Sequence, residues 1–250
     1  MIYVRYEQNR IKNYGILKDG LINRVDGRIG EEWIPTAEVC RLEDVKLLAP
    51  CEPTKIVAVG LNYADHAKEM NEQIPPEPKI FIKPATAVIG PGDIIQRPDS
   101  ERVDYEGELA IVIKKRAKDV PVERALEYVL GYTCLNDVTA RGLQSRDGQW
   151  TRAKGFDTFC PIGPVITDEI DPNNVSVQTR LNGEVKQDSD TSHFIFRVEE
   201  MICFISHVMT LLPGDVITTG TPSGMGPMQD GDSVEICIEG IGTLRNCMQK

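Results

Sequence analysis

The stretch VDYEGELAIVI, residues 103–113, decides how this chain is read. Its second half, Leu109-Ala110-Ile111-Val112-Ile113, is a β-branched apolar run of the kind that forms a buried strand. Glu106 and Glu108 lead into an interior that ordinarily excludes carboxylates, so something must compensate their charge. On a strand, residues two apart face the same way at roughly 6 to 7 Å, so both carboxylates can converge on one cation. Gly107 between them lets another backbone or a ligand approach closely. Two solvated acids at a strand end are the plain alternative.

A third carboxylate changes the balance. Residues 121–130 read as a helix, with Pro121 in its first turn and Gly131 just past its end. Tyr132-Thr133-Cys134-Leu135 then forms a second apolar strand, and Asp137 at its end can reach the first two acids. Three carboxylates with no histidine among them make a hard, all-oxygen site, suited to Mg²⁺, Mn²⁺ or Ca²⁺ far better than to Zn²⁺. The whole chain has 3 histidines.

Composition narrows the function classes. A chain of 250 residues, 41% hydrophobic, can bury roughly 70 to 75% of its unfolded surface. The formal net charge of −10 argues against nucleic acid or an anionic membrane as partner, since both require clustered Lys and Arg. Seven cysteines without a Cys-x-x-Cys pair read as reduced thiols rather than as a disulfide framework or a zinc finger. The start, Met1-Ile2-Tyr3-Val4-Arg5-Tyr6, alternates like a strand and lacks the pattern of a signal peptide. No apolar run has the length of a membrane span. A soluble, cytoplasmic protein is expected.

Residues 1–50 read as a small β-rich unit, with strands at Ile2–Tyr6, Tyr14–Leu17 and Leu21–Val25, and with Trp33 and Leu42 to Leu48 helping it dock. Pro50 and Pro53 then punctuate the chain before Lys55-Ile56-Val57-Ala58-Val59-Gly60, the first buried strand of a main domain over residues 51–250. Next comes Leu61-Asn62-Tyr63-Ala64-Asp65-His66-Ala67-Lys68-Glu69-Met70, a short helix for which Asn62 is the expected N-cap. His66 and Glu69, three apart, are neighbours on one side of it. A carboxylate that fixes the tautomer of an imidazole is how a general base for water is built; a surface pair is the alternative. Gln73 to Pro78 is proline-stiffened and serves either as part of a lid or as a loop. Lys83, inside the apolar strand from Lys79, either reaches the surface or points into the site.

Further on, Lys154 in Lys154-Gly155-Phe156-Asp157 can neutralise a bound carboxylate. Cys160 has no base paired with it in sequence. A hairpin turns at Leu181-Asn182-Gly183-Glu184, and a helix from about Arg197 to Met209 puts Val198, Met201, Ile202, Ile205, Val208 and Met209 on one face. Thr219-Gly220-Thr221-Pro222-Ser223-Gly224 follows an apolar strand and can offer backbone N–H groups and Thr221 to an anion, although it is no Walker loop and Ser223 has no nucleophile elbow.

Taken together, Gly60-Leu61-Asn62-Tyr63 with His66 and Glu69, Glu106-Gly107-Glu108, Asn136-Asp137-Val138-Thr139-Ala140-Arg141, Lys154-Gly155-Phe156-Asp157 and Thr219 to Gly224 resemble the fumarylacetoacetate hydrolase family over about residues 50–247. The resemblance implies a mixed β-rich fold, a β-sandwich or β-roll with few helices. It also implies a homodimer, a divalent metal (Mg²⁺ or Mn²⁺) held by Glu106, Glu108 and Asp137, and small keto acids as substrates. Arg141, Gln144, Lys154 and Thr221 would hold the substrate carboxylate, with His66 and Glu69 as the catalytic pair beside Lys154. The residues before 50 resemble the added N-terminal segment of the acylpyruvase and homoprotocatechuate-pathway branch. The expected reaction is hydrolysis of a C–C bond in an acylpyruvate-type 1,3-diketo acid. Decarboxylation or isomerisation of a 2-oxo dicarboxylic acid, such as oxaloacetate or 2-hydroxyhepta-2,4-diene-1,7-dioate, is the alternative on the same metal site.

Overall fold

The computed structural model describes residues 1–69, 73–99 and 102–250; Met70 and the two residues after it lie outside the described residues, as do residues 100–101. The strand Gly107–Ile113 runs through the middle of the largest sheet, and all seven of its residues are buried. Leu109, Ile111 and Ile113 point into one hydrophobic cluster, while Ala110 and Val112 point into another with Ile56, Ile162 and Val216. Both faces are covered, and this is why the run is continuously apolar instead of alternating. Glu108 shares the face of Ala110 and Val112 by strand parity.

Across this sheet the strands run in the order Ile34–Arg41, Leu21–Asp26, Ile11–Lys18, Ile2–Gln8, Cys160–Thr167, Val129–Asn136, Gly107–Ile113, Val216–Thr218, Lys55–Gly60 and Lys79–Pro84. The N-terminal strands are therefore part of the main sheet, joined where Ile2 and Tyr3 pair with Thr167 and Ile166. Trp33 packs edge-on to Tyr3 within that segment, and Leu42, Val45 and Leu47 pack against the main core. A five-stranded sheet, Glu184–Asp190, Ser176–Leu181, Ser233–Ile238, Gly242–Gln249 and Ile94–Gln96, covers the other side. The two approach tightly at Gly107, where a Cβ would lie 2.1 Å from the Thr179 hydroxyl. The architecture is the mixed, sheet-rich one expected, with few helices.

Local expectations divide. The expected hairpin forms, with Asn182 and Gly183 at positive φ; Gly92 and Gly214 also take positive φ, in turns of the sequence Pro-Gly-Asp. The helix Val198–Val208 buries Val198, Met201, Ile202 and Ile205, but Val208 in the last turn is 54% exposed, so the apolar face ends before it. The helix expected over residues 121–130 forms as a 3₁₀-helix, Val122–Tyr128, and ends before residue 130. The chain enters the strand Val129–Asn136 one residue later, and Lys114 N–H takes the Tyr128 carbonyl at 2.7 Å. Asn62 does not cap the helix Ala64–Glu69. Its buried amide donates to the carbonyls of Phe196 and Thr219 and accepts from Phe196 N–H, a tie between distant segments, while the Asp65 carboxylate accepts from the His66 N–H at 2.8 Å. Gln73 to Pro78 is irregular chain.

Candidate metal centre

The pairing of Gly107 with Asn136 and of Glu108 with Leu135 brings the end of one central strand beside the end of its neighbour. Asp137 N–H then donates to the Glu106 carbonyl at 2.9 Å, which fixes the two acidic turns against each other. As a result Glu106, Glu108 and Asp137, all buried, place one carboxylate oxygen each within 4.8 Å of the others. The sequence analysis named these three, and the fold brings them together.

Cations partly neutralise the cluster. Lys154 Nζ donates to Glu106 at 2.7 Å and to Asp137 at 2.6 Å, and Lys83 Nζ donates to the other Asp137 oxygen at 2.6 Å and to the Lys154 carbonyl at 2.6 Å. Arg141 donates to Glu106 through Nη2, to Asp104 at 3.0 Å and to the Gln144 side-chain carbonyl at 2.7 Å. Arg102 completes the grip on Asp104. Glu108 is treated differently. It accepts from the Thr218 hydroxyl and from Gly220 N–H at 2.8 Å, and among the described residues no Lys or Arg forms an ion pair with it.

The proton affinities follow. Burial works to raise Glu106, but Lys154 and Arg141 overcome it and hold the carboxyl well below the usual range. Burial and the charges of Asp137 and Glu106 push Glu108 well above it. Burial works against the Lys154 ammonium, yet Asp137 and Glu106 more than offset it and keep it protonated. The site therefore lacks positive charge at Glu108. A divalent cation fits that deficit, and three carboxylates are the hard donors that Mg²⁺ or Mn²⁺ takes.

A cavity of about 300 Å³ opens over the three acids. His66, Arg141, Gln144 and Thr221 line it, together with Phe81 and Trp150. His66 Nδ1 stands 3.2 Å from the Glu69 carboxylate, which also accepts from Gly224 N–H at 3.3 Å. His66 is thus part of the cavity wall, with Glu69 behind it. The Thr221 hydroxyl is engaged within the protein: it donates to the Gly107 carbonyl at 2.9 Å and accepts from Gln187 Nε2 at 2.7 Å. Burial pushes the Cys160 thiol up to about 12, which suits an inert core residue.

Three contributors went unassigned in sequence. Lys83, left open there, is fully buried at the site; its signal was an ammonium inside an apolar strand. Gln187 accepts from Gly107 N–H at 2.9 Å and from the Thr179 hydroxyl at 2.7 Å while donating to Thr221 and the Pro222 carbonyl, so it ties the second sheet to the acidic strand. A glutamine in a solvent-patterned hairpin gives no sequence signal. Trp150 lies across Gly60, where a Cβ would come within 2.7 Å of the indole, and meets Phe81 edge-on at 5.1 Å between centroids.

Comparison with known proteins adds identity to this geometry. Residues 55–249 match the family described as fumarylacetoacetate (FAA) hydrolase C-terminal, and residues 1–50 match one described as Rv2993c-like, N-terminal. An uncharacterized protein of Archaeoglobus fulgidus is 58% identical over 84% of this chain and 84% of its own. A mitochondrial oxaloacetate tautomerase of Bos taurus is 46% identical over 81% of this chain and 69% of its own. Among solved structures, a 5-carboxymethyl-2-hydroxymuconate delta-isomerase from Mycobacterium smegmatis superposes with a TM-score of 0.94 at 46% identity, covering 100% of this chain and 99% of that one. A fumarylpyruvate hydrolase from Pseudomonas aeruginosa, in complex with Mn²⁺ and pyruvate, superposes with a TM-score of 0.75 at 34% identity, covering 80% of this chain and 91% of that one. Among the described residues no helix is long and apolar enough to cross a membrane. With most of its length matched, the chain belongs to the fumarylacetoacetate hydrolase family, a family of enzymes.

Proposed function

We propose that this protein is a divalent-metal-dependent enzyme of small 2-oxo acids and that its primary reaction is proton transfer at the carbon beside the oxo group, a keto–enol or double-bond isomerisation. The observation that carries the reading is His66, held by Glu69, in the wall of the cavity over the three carboxylates. Glu106, Glu108 and Asp137 would hold Mg²⁺ or Mn²⁺, which would supply Lewis acidity toward a bound 2-oxo acid. His66, its tautomer set by Glu69, takes and returns the substrate proton at its free ring nitrogen. Arg141 and Gln144 orient the carboxylate end from the cavity wall. Lys154 and Lys83 hold Asp137 in place, and Thr221 with Gln187 braces Gly107 between the two glutamates. Residues 51–250 carry this chemistry, and residues 1–50 extend their sheet.

The isomerase and tautomerase named among relatives at 46% identity favour this order of reactions. Hydrolysis of an acylpyruvate is the second reading, favoured by the hydrolase at 34% identity and by a histidine–carboxylate pair able to activate water. A homodimer and a cytoplasmic location complete the proposal. The test is to follow enolic oxaloacetate and acetylpyruvate by ultraviolet absorbance and proton NMR with Mg²⁺ or Mn²⁺ and after chelation. Metal-dependent ketonisation of oxaloacetate, with deuterium uptake from D₂O beside the oxo group, is expected. Cleavage of acetylpyruvate to pyruvate and acetate without faster ketonisation would establish the second reading. No metal-dependent change in either compound would refute both.

A further inference from the structure

The outer face of the N-terminal strands holds a second cavity, of about 360 Å³, remote in function from the acidic site. In the ladder Arg5 stands opposite Tyr14, and Tyr14 opposite Val25, so these side chains form one row across three strands. Val4 and Tyr6 face the core, and Arg5 between them faces the cavity. Lys12, Arg24 and Arg28 also line it. Four cations thus line the cavity against two carboxylates, Asp26 and Glu52. Residues 1–50 are neutral, with 8 Lys and Arg against 8 Asp and Glu, while the remaining 200 residues carry the whole formal charge of −10.

The arginine is the telling group. Arg5 is 7% exposed, yet its five-donor guanidinium makes one carboxylate contact, to Glu52, and one long bond of 3.4 Å to the Ala49 carbonyl. Its Nε takes no side-chain or backbone partner and is not sealed, and the guanidinium lines the cavity. Arg24 is paired with Glu38 and Asp26. Glu7 stands across the ladder from Lys12, but among the described residues neither Lys12 nor Arg28 forms an ion pair. Glu52, with its side chain 66% exposed, is free to swing into water.

We infer that this cavity binds a compact dianion of the phosphate class, free or as a monoester, on Arg5, Lys12 and Arg28, in competition with the Glu52 carboxylate for Arg5. Two unpaired cations match the charge of −2, and a buried guanidinium with spare donors matches a centre bearing three or more acceptor oxygens. Removing Glu52 strengthens binding, because the ligand then displaces no internal anion; removing Lys12 and Arg28 weakens it.

Trp33 reports on the pocket directly: its Nε1 donates to the Arg28 carbonyl at 2.8 Å, and its ring lies 5.8 Å from that of Tyr14. The experiment titrates inorganic phosphate into the full-length Trp150→Phe protein at fixed ionic strength and reads the fluorescence of Trp33, the one remaining tryptophan of the two. A saturable change is expected, with the dissociation constant raised at least tenfold by Lys12→Gln with Arg28→Gln and lowered severalfold by Glu52→Gln. All three substitutions fall on exposed side chains, and unchanged thermal midpoints confirm folding. No saturable change with phosphate, equal affinity in all three proteins, or saturation by succinate but not by phosphate would each overturn the inference.

Discussion

Replacing Lys83 by methionine removes the ammonium and keeps the length of the side chain. In the folded protein that ammonium is fully buried and donates to Asp137, to the Lys154 carbonyl at 2.6 Å and to the Val138 carbonyl at 3.3 Å. The variant leaves one oxygen of a 2% exposed carboxylate, already crowded by Glu106 and Glu108, without its cation. Breaking a buried pair from one side costs about 3 to 5 kcal/mol, because the surviving charge stays desolvated. At roughly 2 to 4 °C per kcal/mol for a chain of this size, the thermal midpoint falls by about 6 to 20 °C. Guanidinium and thermal unfolding followed by circular dichroism in the presence of a chelator measure it. Lys46→Met is the control, since Lys46 pairs with Asp93 at 2.8 Å with its side chain 58% exposed, a surface bridge worth less than about 1 kcal/mol. A Lys83→Met loss no larger than that of the control would refute the claim that Lys83 neutralises the site.

Other outcomes follow from the same geometry. Glu108→Gln removes a carboxyl that burial and two neighbouring anions push upward, so the chelated protein keeps its thermal midpoint or gains a little. The same variant loses the Mg²⁺- or Mn²⁺-induced rise, which in the parent reaches about 2.7 kcal/mol at a hundredfold excess over the dissociation constant. His66→Asn lowers turnover by about 10² to 10⁴-fold with little change in the thermal midpoint, as read by steady-state kinetics beside calorimetry. Gly60→Ala drives a methyl against the Trp150 indole, costing about 1 to 3 kcal/mol and shifting Trp150 fluorescence in a Trp33→Phe background. Burial holds the Tyr14 phenol up at about 12 and pushes Tyr63 and Tyr132 upward as well. Because these values rise on folding, their contribution to stability is full below pH ~10 and is lost as the pH climbs through the folded values. Native protein should thus show fewer phenolates at pH ~11 than protein in guanidinium, by ultraviolet titration.

What the sequence by itself determined is local chemistry. A β-branched run that continues through both parities, Leu109 to Ile113, requires a strand covered on two faces, and acids at its mouth require compensation. Residue types alone made Glu106, Glu108 and Asp137 an oxygen site, because hard donors select hard cations. Spacing on one short helix was enough to set His66 beside Glu69. The Asn182-Gly183 hairpin, with Gly183 at positive φ, was legible for the same reason: it is decided within a few residues.

Only the tertiary structure decided which partners meet. Lys83 lies 54 residues from Asp137, and its alternatives, surface or site, are equal until the strand Lys79–Pro84 takes its place at the sheet edge. Asn62 has the chemistry of a helix cap, yet its amide joins Phe196 and Thr219, because a buried amide takes the partners that packing supplies. Gln187 carries no local signal at all; it holds Gly107 because a second sheet lands there. The stretch after Pro121 is a short 3₁₀-helix whose last carbonyl, of Tyr128, is taken by Lys114 N–H, just past the neighbouring strand Gly107–Ile113. Propensity and residue chemistry act over a few residues, whereas burial and charge pairing are settled by strands brought together from across the chain.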